Sequence, residues 1–352
     1  MEKVRKYKVC VIGNGFDLYH DLPTRFSDYL SWSSLKESNI LISYFNKLGI
    51  SKDTSWLDFE EELKIFLSNI ERMKTKVELY PRNNVLRVNS EVFITNSNQR
   101  FFYNFILGYG FKFLGRDNHN GSIVINNQYE QRWSDLIEQE VRKDFMNFVD
   151  DFNNYLKNEV QPKIEKISNS FKDTNAEIRK QLNQASEVIV FNYTNTVEVF
   201  KVKQEKVKYV HGKLGSKIII GISDLKDYSS KFTSFFNKST QLLSNNTDIP
   251  TLFSNKLDEN SIIEYTFIGH SFGESDFYFF FDILNVLKKE HRYTNTKFTF
   301  YIHEEKSIFD YAHNLVKFFG EMNLLKLKLN NNIEFKNYSD DLARKQFYAA
   351  LL

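Results

Sequence analysis

Stretches rich in Val, Ile and Phe punctuate the chain, and each has the length of a β-strand. They are residues 8–12, 187–191, 208–210, 217–222, 262–268 and 296–302. The first has no alternation of apolar and polar residues, which is typical of a strand buried on both faces of a parallel sheet. The stretch at 296–302 does alternate, as a strand with one more polar face would.

Helical spacing of apolar residues fills much of the remaining sequence. Helices are predicted over 24–35, over 56–70, from 133 to an interruption at Pro162, from 164 towards 182, and over 304–319. The stretch 81–129 is aromatic and rich in asparagine, but it has no clear period. A strand and then a helix are predicted in the tail that follows residue 319.

Strands interspersed with helices predict an α/β fold, namely a doubly wound, mostly parallel Rossmann-like sheet with a large helical insertion. The strands fall in residues 1–35 and 185–352, which are predicted to form the α/β nucleotide-binding core. Residues 36–184 are predicted to be the mostly helical insertion. Because this insertion contains no linker rich in Pro, Gly or Ser, we expect it to pack against the core.

The amino-acid composition limits the classes of function that the chain can have. With 352 residues, of which 41% are hydrophobic, the chain can bury a sizeable core. A net charge of +2 gives no general attraction to nucleic acid or to an anionic membrane. The single cysteine, Cys10, excludes an intramolecular disulfide and a zinc site built from several cysteines, and it is expected to pack in the first strand.

No targeting or membrane segment is visible. The sequence shows no signal peptide, and no stretch approaches the ~20 apolar residues of a membrane span. A cytoplasmic location is therefore expected. The histidines show no ligand-like spacing, so no metal site is expected.

A glycine turn, Gly13-Asn14-Gly15, follows the first predicted strand. Two glycines separated by one residue let a ligand approach the backbone and let amide hydrogens point outwards, which suits a phosphate or a ribose. Leu18 stands where the dinucleotide-binding fingerprint has its third glycine. Thr24 is expected to cap the helix that follows.

Polar residues also follow later strands, at the edge where parallel sheets bind ligands. Asn192 and Thr194 end one strand, although Asn192 could instead cap a helix that begins near Thr196. His211 follows a short strand and precedes Gly212. The ordinary pKa of histidine, about 6.5, would let His211 accept a proton at neutral pH.

A second glycine turn follows the strand at 262–268. In this turn Ser271 would donate to a phosphate, and Glu274 or Asp276 would accept hydrogen bonds from ribose hydroxyls. An alternative interpretation makes Gly269 to Gly273 the nucleophile elbow of a serine hydrolase. That interpretation would require the acid and the histidine of the triad to come from one predicted helix, which is a poor arrangement.

An acidic segment opens the helix predicted at 56–70. The simpler interpretation buries Trp56 and Phe59 and leaves a charged outer face. The alternative makes Glu60 or Glu61 a catalytic carboxylate.

Three motifs resemble those of one known family. Residues 11–24, which read Val-Ile-Gly-Asn-Gly-Phe-Asp-Leu before His20 and Leu-Pro-Thr, resemble the opening motif of AbiH proteins, bacterial abortive-infection proteins that act against phage. The family usually has glycine where this chain has Asp21. Residues 56–61 and 269–276 resemble its tryptophan-acidic and Gly-His-Ser-x-Gly-Glu-x-Asp motifs. The wider likeness is to the sirtuin-like NAD-binding fold.

The sirtuin-like resemblance implies NAD as the substrate and assigns roles to individual residues. Asn192 would orient the ribose or the attacking water, and His211 would be the general base. The residues implied to contact NAD are Gly13, Asn14, Gly15, Asp17, His20, Thr24, Thr194, Gly212, Gly269, His270, Ser271, Glu274 and Asp276. Deacetylation is disfavoured because the zinc module of deacetylating sirtuins needs cysteines that this chain lacks.

The resulting hypothesis is an anti-phage effector that hydrolyses NAD at the nicotinamide–ribose bond. The alternatives are a nucleotide-sensing module without catalysis and a metal-dependent nuclease built on Asp17 and the acidic residues near Trp56. Because an unregulated NAD hydrolase would kill its host, we expect a resting state released by homo-oligomer assembly, by a phage-derived trigger or by a defence-system partner protein. Neither a membrane nor nucleic acid is an expected partner.

Overall fold

The computed structural model describes most of the chain. The described residues are 6–35, 38–49, 56–80, 85–117, 122–170, 176–223, 230–244, 261–289, 294–302 and 308–337. Among these residues, none of the helices combines the length and the apolar character needed to cross a membrane. The helix predicted at the end of the tail lies outside the described residues.

The secondary structure of the described residues mixes strands with many helices. The strands are β1 (Lys6–Ile12), β2 (Val77–Tyr80), β3 (Val85–Val88), β4 (Leu114–Arg116), β5 (Ile123–Ile125), β6 (Glu187–Val190), β7 (Val207–Tyr209), β8 (Ile262–Ile268), β9 (Thr296–Ile302) and β10 (Ile333–Asn337). The α-helices are α1 (Asn14–Tyr19), α2 (Phe26–Trp32), α3 (Ile40–Lys47), α4 (Trp56–Thr75), α5 (Ser90–Phe93), α6 (Ser97–Tyr109), α7 (Trp133–Tyr155), α8 (Gln161–Ser170), α9 (Ala176–Gln184), α10 (Lys231–Ser234), α11 (Lys238–Ser244), α12 (Phe277–Lys289), α13 (Ile308–Phe319) and α14 (Glu321–Leu329).

Two compact units make up the chain. The first comprises Met1–Tyr29, Asn153–Ile219 and Leu242–Leu352, and the second comprises Leu30–Phe152 and Ile220–Gln241. The bounds predicted for the core, 1–35 with 185–352, and for the insertion, 36–184, stay a prediction.

The first unit contains a six-stranded sheet in the order β10-β9-β8-β1-β6-β7. Every neighbouring pair of strands in it is parallel. The prediction of a mixed α/β fold with a parallel sheet is therefore confirmed. Strand β1 lies between β8 and β6, so its two neighbours come from distant parts of the sequence.

Both faces of this sheet are covered. Val9 and Val11 of β1 pack in one apolar cluster with residues of α12, α13 and α14. Cys10 and Ile12 pack in another with residues of α1 and α9. Because successive side chains of a strand point to opposite faces, burial on both faces explains why β1 carries no polar alternation.

Cys10 packs in the first strand, as predicted. Burial of the thiol raises its pKa to about 12, although the charge of Lys8 opposes the shift. The thiol therefore stays protonated at neutral pH and serves the core as a small apolar group.

The second unit contains a small antiparallel sheet in the order β2-β3-β5-β4. The sequence predicted no strands here, because segments of three or four residues are too short for an alternating pattern to emerge. In the same unit Phe59 is buried, as predicted, and stacks on Phe148. Glu60 does not lie on a charged outer face: it is buried, and its Oε1 is 2.6 Å from Nζ of Lys238.

Two other local predictions need correction. The strand predicted at 217–222 is wrong, since Ile222 makes only an isolated bridge with Asn237 and Ile218 to Ile220 are buried without a strand ladder. The apolar residues that predicted a strand there are buried in an irregular segment. Pro162 does not break the helical run, because α8 begins at Gln161 after a π-helix at Leu156–Val160. Pro162 has no N–H to donate within the helix, and the π-helical turn directly before it is the local irregularity with which the helix continues.

The turns that follow β1 and β8 pack backbone against backbone. The N–H of Gly13 donates to the last carbonyl of β8 (3.0 Å), and the N–H of Gly15 donates to the carbonyl of Gly269 (2.8 Å). A Cβ on Gly13 would lie 2.4 Å from Cα of His270, and a Cβ on Gly15 would lie 2.8 Å from the carbonyl oxygen of Gly269. Gly269 also adopts a positive φ of 64°. Close contact between the two turns therefore requires glycine at all three positions.

We predict that Gly15→Ala lowers stability by about 1–3 kcal/mol, because the added methyl group would press on the backbone of the β8 turn. The matched control is Gly108→Ala. Gly108 also lies in a helix, but a Cβ there would meet nothing within 4 Å. Gly108→Ala should be more stable than the wild-type protein by about 0.5–1 kcal/mol. Thermal melting measures both variants, and an unchanged melting temperature for Gly15→Ala would contradict the proposed packing.

Candidate functional site

Polar side chains gather where four adjacent strands of the large sheet end. In the order β8-β1-β6-β7, the residue two positions beyond each strand is polar. These residues are His270, Asn14, Asn192 and His211. Because all four strands are parallel, their carboxyl ends lie at one edge of the sheet, which is where open α/β sheets bind ligands.

A buried carboxyl lies at this edge. Asp17 of α1 has no exposed surface, and Oγ1 of Thr194 donates to its Oδ2 at 2.6 Å. The hydroxyl of Thr196 in turn donates to Oγ1 of Thr194 at 3.1 Å. Burial raises the pKa of Asp17 to about 6, and contacts with Thr194, Thr196 and Asn192 limit the rise. Asp17 therefore exchanges its proton close to neutral pH.

The amide of Asn192 lies near this carboxyl and lacks partners. It is buried, and neither its Oδ1 nor its Nδ2 makes a hydrogen bond of ordinary distance and angle within the described ranges. It nevertheless lies close enough to Asp17 to lower the pKa of that carboxyl as a hydrogen-bonding group. An unpaired buried amide costs about 1–3 kcal/mol, so Asn192 is a group that a polar ligand would satisfy.

Asn192 is not a helix cap, so that alternative interpretation of the sequence is wrong. The short 3-10 helix Thr196–Phe200 has Asn195 as its N-cap residue, and no side chain caps it. Asn192 stands outside that helix, beyond the end of β6.

Two histidines share one carboxylate at the same edge. Nε2 of His211 lies 3.4 Å from Oδ1 of Asp276, and Nε2 of His270 lies 3.4 Å from Oδ2. The hydroxyl of Tyr278 is 3.5 Å from Nε2 of His211. The backbone N–H of Phe272 donates to Nδ1 of His270 at 3.0 Å.

Aromatic rings line this histidine cluster. The ring of Phe191 lies 5.4 Å from that of His211 and 4.4 Å from that of His270, both in edge-to-face geometry. The ring of Tyr193 lies 6.2 Å from that of His211. Apolar walls of this kind strengthen the electrostatic interactions between the charged groups they surround.

Other residues predicted to contact the ligand lie elsewhere or have protein partners. Glu274 is half exposed and pairs with Lys317 on the surface at 2.6 Å. Ser271 is exposed, and its carbonyl accepts a hydrogen bond from Asn314. A Cβ on Gly212 would lie 2.0 Å from the carbonyl oxygen of Lys217, so chain packing accounts for that glycine.

The first turn differs from what its glycines suggested. The N–H groups of Gly13, Gly15 and Phe16 all donate to backbone carbonyls, so they do not point outwards for a phosphate. The side chain of Asn14 donates to the carbonyl of Thr24. Contact of these residues with NAD stays a prediction.

His20 and Asp21 end this turn. Nδ1 of His20 lies 2.7 Å from the carbonyl oxygen of Phe16, and burial lowers the pKa of His20 to about 4. Asp21 adopts a left-handed conformation with φ of 56°. Glycine would take that conformation at less cost.

Sequence reasoning missed Thr196 and Tyr278. Thr196 follows Thr194 at the spacing that allows two hydroxyls to meet, but the prediction assigned it to a helix start. Tyr278 lies in an aromatic run of α12 that reads as core. Only the tertiary structure brings its hydroxyl to His211.

The geometry limits the chemistry of the site. No three His, Cys, Asp or Glu side chains of the described residues are grouped so that they could hold a metal ion. What the site offers is an unpaired amide, a carboxyl that titrates near pH 6, and a histidine held by a carboxylate. Such groups bind a polar ligand and transfer a proton.

Comparison with known proteins finds one family. The family model described as "Bacteriophage abortive infection AbiH" matches residues 9–300, a span that includes Asp17, Asn192, His211, His270 and Asp276. A search among curated proteins finds no match.

We predict that Asn192→Leu raises the stability of the ligand-free protein by about 1–2 kcal/mol, because it removes an unpaired buried amide. The matched control is Asn39→Leu. Asn39 is also buried, but it caps α3 and donates to the carbonyl of Asp144, so its loss should cost about 2 kcal/mol. Denaturant titration compares the two. A loss of stability in Asn192→Leu equal to that in Asn39→Leu would contradict the assignment.

A second prediction concerns pH. Because the pKa of Asp17 rises from 3.8 to about 6 on folding, the folded protein keeps a proton that the unfolded chain has lost between these values. Stability should therefore fall by roughly 3 kcal/mol as the pH rises through this window, and Asp17 should add no further dependence above it. Asp17→Asn should lack this component. Denaturant titrations of the wild-type protein and Asp17→Asn from pH 4 to 7 test this prediction. If the free energy of unfolding changes with pH in the same way in both proteins, the shift in the pKa of Asp17 is excluded.

Proposed function

The chain belongs to the AbiH family of bacteriophage abortive-infection proteins, and we propose that it acts in this defence by hydrolysing NAD at the nicotinamide–ribose bond. We further propose that the first unit is a sirtuin-like NAD-binding core. The observation that carries the proposal is the unpaired amide of Asn192 at the edge of the sheet that also holds His211 and its carboxylate partner.

The proposed reaction suits these groups. Water attacks the anomeric carbon of the nicotinamide ribose, the carbon–nitrogen bond breaks, nicotinamide leaves as a neutral base, and ADP-ribose is formed. His211 takes the proton that the attacking water loses. Asn192 orients the water or a ribose hydroxyl through its unpaired donor and acceptor.

Charge at the site supports this assignment. Bond cleavage builds positive charge on the ribose, and an ionised Asp17 would offer a buried negative charge at the same edge of the sheet. With a pKa of about 6, Asp17 is mostly ionised at neutral pH. The proposal uses only groups of this chain and does not require a metal.

Incubation of the purified protein with NAD, followed by measurement of free nicotinamide, tests the proposal. Binding of NAD without release would instead support the nucleotide-sensing alternative. Cleavage of nucleic acid that depends on magnesium would support the nuclease alternative. Because a resting state is expected, the assay is repeated with extract of phage-infected cells added, and either result without any nicotinamide release under both conditions would overturn the assignment as an NAD hydrolase.

We predict that His211→Ala and Asn192→Ala each reduce nicotinamide release by about a hundred- to ten-thousand-fold, because each removes a positioned group that acts in the transition state. The double variant should lose little more than either single variant, since residues that act as a unit are not additive. NAD affinity should fall much less than turnover.

The control is His313→Ala, which changes an exposed histidine of α13 and should leave release unchanged. All rates are expressed per folded molecule, with the folded fraction taken from melting curves. Release near the wild-type rate by His211→Ala would refute the proposed mechanism.

A further inference from the structure

We propose that Asp276 is a positioning residue that accepts Nε2–H groups from both His211 and His270, which places the lone pair of neutral His211 on Nδ1. The part that concerns proton transfer rests on the proposed function. The position of the proton on each histidine ring does not rest on the proposed function. Sequence patterns suggested a different role for Asp276, as an acceptor for ribose hydroxyls.

The proton of neutral His270 is fixed by the backbone. Because the N–H of Phe272 donates to Nδ1 of His270, that nitrogen must present its lone pair, and the ring proton lies on Nε2. Nε2 faces Oδ2 of Asp276 at 3.4 Å. His270 therefore occupies one carboxylate oxygen as a donor.

The backbone that holds His270 is itself constrained. Phe272 has a φ of 55°, a left-handed conformation that is unfavourable for an aromatic residue. Its side chain is fully buried and packs against Phe267, Phe280 and Phe318. Packing thus holds Phe272 in a costly backbone conformation in which its N–H points at His270. Strained backbone of this kind is typical of functional turns.

The other carboxylate oxygen of Asp276 determines the tautomer of His211. Oδ1 lies 3.4 Å from Nε2 of His211, and an ionised carboxylate can only accept hydrogen bonds. The hydroxyl of Tyr278, 3.5 Å from the same nitrogen, can accept this N–H as well, so Nε2 of neutral His211 carries the proton. The lone pair is on Nδ1, and protonation there gives an imidazolium ion that Asp276 stabilises.

This arrangement leaves Asp276 little capacity for a ribose. Each of its oxygens faces one histidine, and only 13% of its side chain is exposed. Each carboxylate oxygen has a second lone pair, but a side chain that is so little exposed offers a sugar hydroxyl little access to it. Orientation of His211 is the role that these distances favour.

The tautomers can be measured directly. Long-range proton–nitrogen NMR spectra of the full chain, with ¹⁵N in its histidine rings and at a pH where the rings are neutral, identify the protonated nitrogen of each. Signals that disappear in His211→Gln and His270→Gln assign the two residues. We expect Nε2–H for both. A proton on Nδ1 of His211 in the wild-type protein would overturn the inference.

Asp276→Asn provides the second measurement, since it turns one of the two accepting oxygens into an NH2 group, which only donates. We expect His211 to populate both tautomers, kcat for nicotinamide release to fall at least about tenfold, and KM to stay within about threefold. Asp310→Asn is the matched control, an acid-to-amide change at an exposed residue of α13, and it should change neither quantity. Wild-type tautomers and kcat in Asp276→Asn would overturn the assignment.

The two proposals can fail separately. If the tautomers are as expected but the wild-type protein releases no nicotinamide, with or without extract of phage-infected cells, only the proposed reaction is refuted. If nicotinamide is released but His211 carries its proton on Nδ1, the reaction stands and the role of Asp276 is refuted.

Discussion

The backbone contact between the turns after β1 and β8 holds the candidate site together. Gly13 and Gly15 lie so close to Gly269 and His270 that no side chain fits between them, and two N–H···O bonds join the turns. Asp17 follows one of these turns, and Asp276 follows the other. A shift of β8 against β1 would therefore displace the histidine cluster relative to the buried carboxyl.

Local signals in the sequence were sufficient for much of this architecture. The predicted strands at 262–268 and 296–302 coincide with β8 and β9, because seven consecutive residues give a strong apolar pattern. The polar residues beyond the strands were also visible, since strand ends and glycine turns are local features. Asn192 and His211 could be selected in this way before any contact was known.

The partners of those residues could not be predicted. Thr194 meets Asp17 across 177 residues of sequence, and no local pattern encodes such a contact. The glycines of the first turn suggested an open ligand cradle, whereas the structure fills that space with the β8 turn. Glu274 and Asp276 looked equivalent in sequence, yet one pairs with Lys317 on the surface and the other faces two histidines.

The position of β1 in the sheet has a consequence for the synthesis of the protein. A ribosome that adds about 5–20 residues per second needs roughly 13–50 s to proceed from the end of β1 to the end of β8. Throughout that interval one edge of β1 has no neighbour, so the nascent chain exposes apolar surface that chaperones recognise. Every nascent chain that ends before Asp276 lacks the carboxylate that faces His211 and His270. Chains that end earlier consequently cannot carry the complete site, and a cell that makes this protein first encounters that site after translation has passed residue 276.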